Sequence, residues 1–111
     1  MLGVVAWRVE VLDHRVVKEL DALAQDARQR FLRISELIEE HGLSAMREPH
    51  VKHLEGKLWE MRMKGRDGVA RAIYVTARGE RVVVVHAFIK KTQKTPRSAL
   101  EIARTRAKEV T

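Results

Sequence analysis

The segment from Lys57 to Ile89 constrains the fold more than any other part of the sequence. It contains three runs rich in β-branched and apolar residues, at about 57–64, 69–76 and 81–89, and such runs are typical of β-strands. The segments between them, 65–68 and 77–80, both contain glycine, which a tight antiparallel turn needs where φ is positive. The spacing therefore predicts two consecutive hairpins, with the apolar run Val82–Val85 in an interior strand.

Helical periodicity and capping residues predict the rest of the fold. The alternating segment Trp7–Leu12 favours a first strand, and Asp13 can cap a helix that runs to about Glu40 with a break near residues 25–27. Gly42 ends this helical hairpin, and residues 43–56 are predicted to form a polar loop. The apolar residues at helical spacing are Val16, Leu20, Leu23, Ala27, Phe31, Ile34 and Ile38.

A last helix is predicted to begin with Thr95 as the N-cap and Pro96 at the first helical position. The expected architecture is therefore an α+β fold of order β-α-α-β-β-β-α. Its sheet is mainly antiparallel and four-stranded, with the helical hairpin on one face and a separate C-terminal helix.

Length and composition limit the class of protein. At 111 residues the chain is expected to form one domain over residues 1–111. Cysteine is absent, so neither disulfides nor thiolate metal sites are expected. No apolar run approaches the ~20 residues of a membrane span, and no export signal is visible. The sequence therefore predicts a cytoplasmic protein without a membrane partner.

The positive charge is concentrated in the predicted sheet. The formal net charge is +7, and residues 57–97 contain 11 of the 22 Lys and Arg but only 3 of the 15 Asp and Glu. Such an asymmetry favours a polyanion or an acidic protein segment as partner. The alternative is a basic face that is merely solvated.

One face of the strand at 58–64 is predicted to be cationic. Alternation directs Trp59, Met61 and Met63 to one side, and directs Leu58, Glu60, Arg62 and Lys64 to the other. Arg71 and the lysines 90, 91 and 94 fall on neighbouring strands or at their ends. These cations are expected to converge on one cleft, for which phosphate is the natural ligand.

Other residue types carry weaker signals. The spacing of His50 and His53 is a poor metal motif, and a loop facing RNA is the better interpretation. Tyr74 and His86 are expected to pack within the sheet, and no metal or cofactor is predicted. Trp7 and Trp59 are assigned to the core, although aromatic residues also stack on bases.

Three segments carry a resemblance to a known family: KHLEGKLWEMR at 52–62, RAIY at 71–74 and HAFIKKTQKTP at 86–96. Together they resemble the HigB-like, phage-derived branch of the RelE/ParE toxin superfamily. The resemblance implies the toxin of a type II toxin–antitoxin system, a metal-independent endoribonuclease that cleaves mRNA on the ribosome. It also implies a cognate HigA-like antitoxin with a helix-turn-helix domain, through which alone the toxin reaches operator DNA.

The resemblance also suggests roles for individual residues. Arg71 and Lys91 would stabilise the reacting phosphate, and Arg62 would position it. Glu60 would be a general base or the partner that orients Arg62; a cross-strand ion pair with Arg62 or Arg71 is the structural alternative. The residues expected to bind RNA phosphates are Lys57, Lys64, Lys90, Lys94 and Arg97.

Two other functions remain open at the level of sequence. ParE-like toxins share the fold but bind DNA gyrase without cleaving RNA. A plain RNA-binding module would bind with a steep salt dependence and leave no cleaved ends.

Overall fold

A computed structural model describes residues 6–47, 50–66, 68–90 and 94–111, except for the side chain of Lys90. The elements in chain order are β1 (Arg8–Val11), α1 (His14–Asp21), α2 (Gln25–His41), a short 3-10 turn (Leu43–Ala45), β2 (Val51–Glu55), β3 (Leu58–Gly65), β4 (Gly68–Ala77), β5 (Arg81–Lys90) and α3 (Arg97–Ala107). The strands form one sheet in the order β1-β5-β4-β3-β2. β1 is parallel to β5, and the other pairs are antiparallel.

The predicted α+β class, the helical hairpin and the meander are confirmed, but the sheet has five strands instead of four. The additional strand, β2, lies in the segment that the sequence predicted to be a polar loop, so the order is β-α-α-β-β-β-β-α. β2 is at the edge of the sheet, and two of its five residues are exposed. An edge strand with few buried positions lacks the apolar alternation on which the prediction depended.

The ends of the helices follow from local chemistry. The carboxylate of Asp13 accepts the Arg15 N–H at 3.0 Å, as predicted for the cap of α1. The break between the helices lies at residues 22–24, slightly before the predicted position. Gly42 ends α2 with a φ of +85°, a conformation that side chains with a Cβ rarely adopt.

The start of α3 differs from the prediction by one residue. Pro96 is the N-cap, because its carbonyl accepts the first helical N–H, from Leu100 at 3.2 Å. Thr95 is therefore not the N-cap. Its hydroxyl instead donates a hydrogen bond to the carboxylate of Glu60 at 3.0 Å.

Apolar clusters cover the two faces of the sheet. The first lies between the helical hairpin and the sheet and includes Phe31, Ile34, Ile38, Met61 and Tyr74. The second lies under α3, which packs against β5 and β4. No helix in the described part of the chain is long and apolar enough to cross a membrane.

The outer edge of β5 is covered in two ways. β1 pairs with β5 only as far as Val84. Beyond that point the carboxylate of Glu19, from α1, accepts the Ala87 N–H at 3.1 Å and is within 3.0 Å of His86 Nδ1. Arg106 of α3 donates to the same carboxylate at 2.9 Å. The carboxylate of Glu19 thus links α1 to both β5 and α3.

Candidate functional site

The polar residues of interest lie on the face of the sheet that α3 covers only in part. α3 contacts β5 and β4, whereas the same face of β3 carries Glu60, Arg62 and Lys64 beyond it. Arg62 lies directly opposite Arg71 of β4 in the antiparallel register. Two like charges in that position repel each other, so the sheet needs a counter-ion or an anionic ligand there.

Glu60 is the counter-ion. Its side chain is only 1% exposed, and its Oε1 accepts a hydrogen bond from the Arg71 guanidinium. Arg62 Nε is 3.6 Å from the same oxygen, and the Thr95 hydroxyl donates to Oε2. Both oxygens are engaged, so Glu60 is arranged to orient the two arginines.

Arg71 is the most deeply buried cation of this group, at 5% exposure. Desolvation lowers the pKa of its guanidinium; the nearby Glu60 opposes this change, and the charge of Arg62 adds to it. The Nε–H groups of Arg62 and Arg71 are buried and have no hydrogen-bond partner among the described residues. Unpartnered buried donors on cations are costly.

Both arginines open into a cavity of about 340 Å³, which we call the arginine cavity. Its described lining consists of Arg30, His50, Arg62, Lys64, Val69 and Arg71. None of these side chains is acidic, so the cavity is suited to an anion.

Two of the lining residues come from outside the predicted strands. β2 starts at Val51, opposite Met61, and the chain just before it carries His50, whose carbonyl accepts the Arg62 N–H at 2.9 Å. Arg30 reaches the same cavity from α2. The sequence analysis placed His50 in a loop facing RNA and missed Arg30, because an exposed arginine on a helix carries no local signal of such a contact.

A second cavity, of about 500 Å³, lies between β2, β3 and the start of α3; we call it the α3 cavity. Its lining includes Glu60, the carboxylate that contacts Arg62 and Arg71 of the arginine cavity. Arg104 at its rim forms an ion pair with Glu55 at 2.7 Å. The other lining residues are Lys52, His53, Leu54, Lys94, Thr95, Arg97 and Leu100.

The structure brings together part of the predicted site. Arg62, Lys64 and Arg71 share the arginine cavity, with Glu60 behind them. The other two predicted residues that line a cavity, Lys94 and Arg97, belong to the α3 cavity.

Of the remaining predicted lysines, Lys57 lines neither of these two cavities. Lys57 lies in the turn between β2 and β3. The backbone of Lys90 is opposite Val69 in the sheet, but its side chain is not described. Lys91 falls outside the described residues, so its catalytic role stays a prediction.

The tyrosine, histidine and tryptophan residues that carried weaker sequence signals have packing or hydrogen-bonding contacts of their own. Tyr74 is 1% exposed and packs against the helical hairpin, and burial raises its pKa to about 12. His53 Nε2 is 2.8 Å from the carbonyl oxygen of Gly56. Trp59 was predicted to lie in the core but is 38% exposed, and its ring is 4.8 Å from that of His53 on the edge strand β2. Within the described ranges, no three His, Asp or Glu side chains are grouped closely enough to hold a metal ion.

Comparison with models of known protein families identifies the family of this chain. The family model described as phage-derived protein Gp49-like (DUF891) matches residues 18–108. The chain belongs to this family. A search among curated proteins found no match.

Solved structures place this Gp49-like protein in the RelE superfamily. It is similar to archaeal RelE from Pyrococcus horikoshii OT3, solved as a RelE–RelB complex: identity is 25%, coverage is 78% of this chain and 97% of that chain, and the TM-score is 0.60. A mutant of Escherichia coli toxin RelE in the free state is 19% identical, with coverage of 96% and 99% and a TM-score of 0.60. The second likeness is one of fold, and both are to RelE proteins.

Proposed function

We propose that this Gp49-like protein is the toxin of a type II toxin–antitoxin pair and that it cleaves mRNA on the ribosome. The observation that carries the proposal is the pair of guanidinium groups of Arg62 and Arg71, which line one cavity whose described lining includes no acidic side chain. Glu60 fixes their orientation from behind. Such preorganised donors are the means by which a protein stabilises charge that develops during a reaction.

RNA cleavage by the neighbouring 2′-hydroxyl suits this arrangement. The hydroxyl oxygen attacks phosphorus, the bond to the 5′-oxygen breaks, and the products are a 2′,3′-cyclic phosphate and a 5′-hydroxyl. The phosphorane between them carries additional negative charge, and each well-aimed donor contributes about 3 kcal/mol to its stabilisation. Arg62 and Arg71 would supply this charge, with Lys64 at the rim and with Lys91 as a further predicted contributor.

The substrate is expected to extend beyond the reacting phosphate. The α3 cavity is lined by Glu60, which contacts both arginines of the arginine cavity, and it carries Lys52, Lys94 and Arg97. A single RNA strand could therefore follow the cationic face with one phosphate in each cavity. Metal ions and cofactors have no role in this proposal.

The proposed protein partner is a cognate HigA-like antitoxin with a helix-turn-helix domain. The support is the family, together with the archaeal RelE that was solved in complex with RelB. Such an antitoxin would neutralise the toxin and would provide its only route to operator DNA. An acidic segment over the cationic face and docking at a distant surface are both compatible with inhibition.

The decisive test uses the most buried cation. Arg71→Ala should abolish cleavage of mRNA on translating ribosomes, because the phosphorane loses its central donor, while Arg33→Ala, an exposed position on α2, should cleave normally. Mapping of 5′ ends on a defined mRNA measures the difference. If the wild-type protein leaves mRNA intact on ribosomes, the proposal is wrong.

Two outcomes would point to other functions. Induction of the DNA-damage response by the wild-type protein, without cleaved mRNA, would favour a ParE-like gyrase toxin. Tight and salt-sensitive RNA binding without new 5′ ends would favour a plain RNA-binding module.

A further inference from the structure

His50 differs in kind from every other polar residue of the arginine cavity. The other polar side chains of the described lining are those of Arg30, Arg62, Lys64 and Arg71. Guanidinium and ammonium groups are donors only and do not accept a proton at neutral pH. Among the described lining residues, the imidazole of His50 is thus the one group that can accept a proton there.

The carboxylate that might otherwise serve as a base is not available to a ligand. Glu60 is 1% exposed, and Arg71, Arg62 and Thr95 surround its two oxygens. A base has to come within hydrogen-bond reach of the proton that it removes. Glu60 would first have to leave a buried ion pair, which is strongly unfavourable.

The position of His50 leaves its side chain available. Its backbone carbonyl, not its ring, accepts the Arg62 N–H at 2.9 Å and so joins the loop to β3. The residue is exposed, so solvent and substrate reach the imidazole. The charged groups that face it across the cavity are Arg30 from α2, Arg62 and Lys64 from β3, and Arg71 from β4.

We propose that His50 is the general base of this site: its neutral imidazole accepts the proton of the attacking 2′-hydroxyl. The inference rests on the proposed ribonuclease function. The 2′-oxygen forms its bond to phosphorus, the bond from phosphorus to the 5′-oxygen breaks, and the 5′-oxygen takes a proton from water. The imidazolium then returns its proton to solvent, so His50 is restored for the next cleavage.

The same lining suggests what Arg30 does. It lines the cavity from α2, whereas the other arginines of the lining come from β3 and β4. It would hold the phosphate between itself and Arg71 without taking part in proton transfer. Substitution of Arg30 should therefore weaken substrate binding and leave the pH dependence of cleavage unchanged.

The test measures single-turnover cleavage of a defined mRNA on ribosomes as a function of pH. His50→Gln should cleave about 100-fold more slowly than the wild type, and the acidic limb of the wild-type pH profile should be lost. Binding to ribosomes carrying mRNA with a 2′-O-methyl group at the cleavage position should be unchanged. Added imidazole should restore cleavage by His50→Ala, a result that a purely structural role would not give.

The matched control is His41→Gln, which should behave as the wild type, because His41 is exposed at the end of α2 and pairs with Glu40 at 3.6 Å. If His50→Gln cleaves at the wild-type rate with the same pH profile, His50 is not the base, although the nuclease function stands. Loss of binding together with cleavage, without rescue by imidazole, also overturns the assignment. A wild-type protein that does not cleave overturns the nuclease function itself.

Discussion

At the scale of single residues, Glu60 decides the character of the site. It neutralises two arginines that the sheet register places opposite each other, yet its own side chain is only 1% exposed and does not line the arginine cavity. The surface offered to a ligand is therefore cationic although its structure depends on an anion. Removal of one partner from a buried ion pair leaves a charge that nothing compensates.

Glu60→Gln should consequently destabilise the protein by about 3 kcal/mol. The physical reason is that Arg71 would remain buried with its charge but without a counter-ion. Urea denaturation of the variant and the wild type measures the difference in free energy of unfolding. Glu36→Gln, at an exposed position on α2, should change it by less than about 0.5 kcal/mol. Equal stability of all three proteins would show that the ion pair is not needed for folding.

The sequence anticipated this site only where strand alternation applies. Alternation correctly placed Glu60, Arg62 and Lys64 on one face, because their order along one strand determines their direction. Arg30 was not anticipated, because its contact depends on how α2 lies across the edge of the sheet. No periodicity in the sequence encodes that tertiary arrangement.

At the scale of elements, Asp26 joins the start of α2 to the turn after β3. Its carboxylate accepts the Arg66 N–H at 2.6 Å and the Ala27 N–H at 2.8 Å. The bond from Arg66 lowers the pKa of this carboxyl group. A Cβ added to Gly65 would lie 3.0 Å from Asp26 Oδ1, closer than carbon and oxygen normally approach.

Gly65→Ala should therefore lower the free energy of unfolding by about 1 kcal/mol, within the ordinary range for a steric change of this kind. The new methyl group would displace a carboxylate that two hydrogen bonds hold in place. A double-mutant cycle with Asp26→Ala, followed by urea denaturation, isolates this effect. In the Asp26→Ala background the glycine substitution should cost little; an unchanged cost would mean that the strain lies elsewhere.

Elements with strong periodicity were predictable and the edge strand was not. The seven apolar residues of the helical hairpin have the spacing of a buried helix face. Six of them are buried, five within the two helices and Leu23 in the connection between them. β2 acquires its strand conformation mainly by pairing with β3, so its own sequence, VKHLE, carries little information. Likewise, Thr95 fits the preference for an N-cap, but its bond to Glu60 replaces that role.

At the scale of the whole molecule, many of the basic residues line the two cavities described above. The arginine cavity and the α3 cavity are together lined by eight Lys and Arg side chains, and Glu60 of the α3 cavity contacts two arginines of the other. A polyanion that binds there releases its condensed counter-ions, so the affinity falls as salt is added.

Each phosphate contact should be visible in this salt dependence. Arg97→Ala should reduce the slope of log affinity against log salt by about 0.7 for single-stranded RNA, the contribution of one contact. The measurement is fluorescence anisotropy with 2′-O-methyl RNA, which is not cleaved, over a series of salt concentrations. Arg33→Ala should leave the slope unchanged. An identical slope for Arg97→Ala would place this arginine outside the path of the strand.

The carboxylate of Glu19 also affects whether a strand from another molecule can pair with the free edge of β5. An open edge of a sheet is a template on which strands of other molecules assemble into aggregates. Beyond the end of β1, a strand from another molecule would have to pair with the Ala87 N–H. This N–H already donates to the Glu19 carboxylate, which also contacts Arg106 and His86. Addition of a strand at this position would first require displacement of the Glu19 carboxylate from Ala87, so this contact protects part of the free edge of β5.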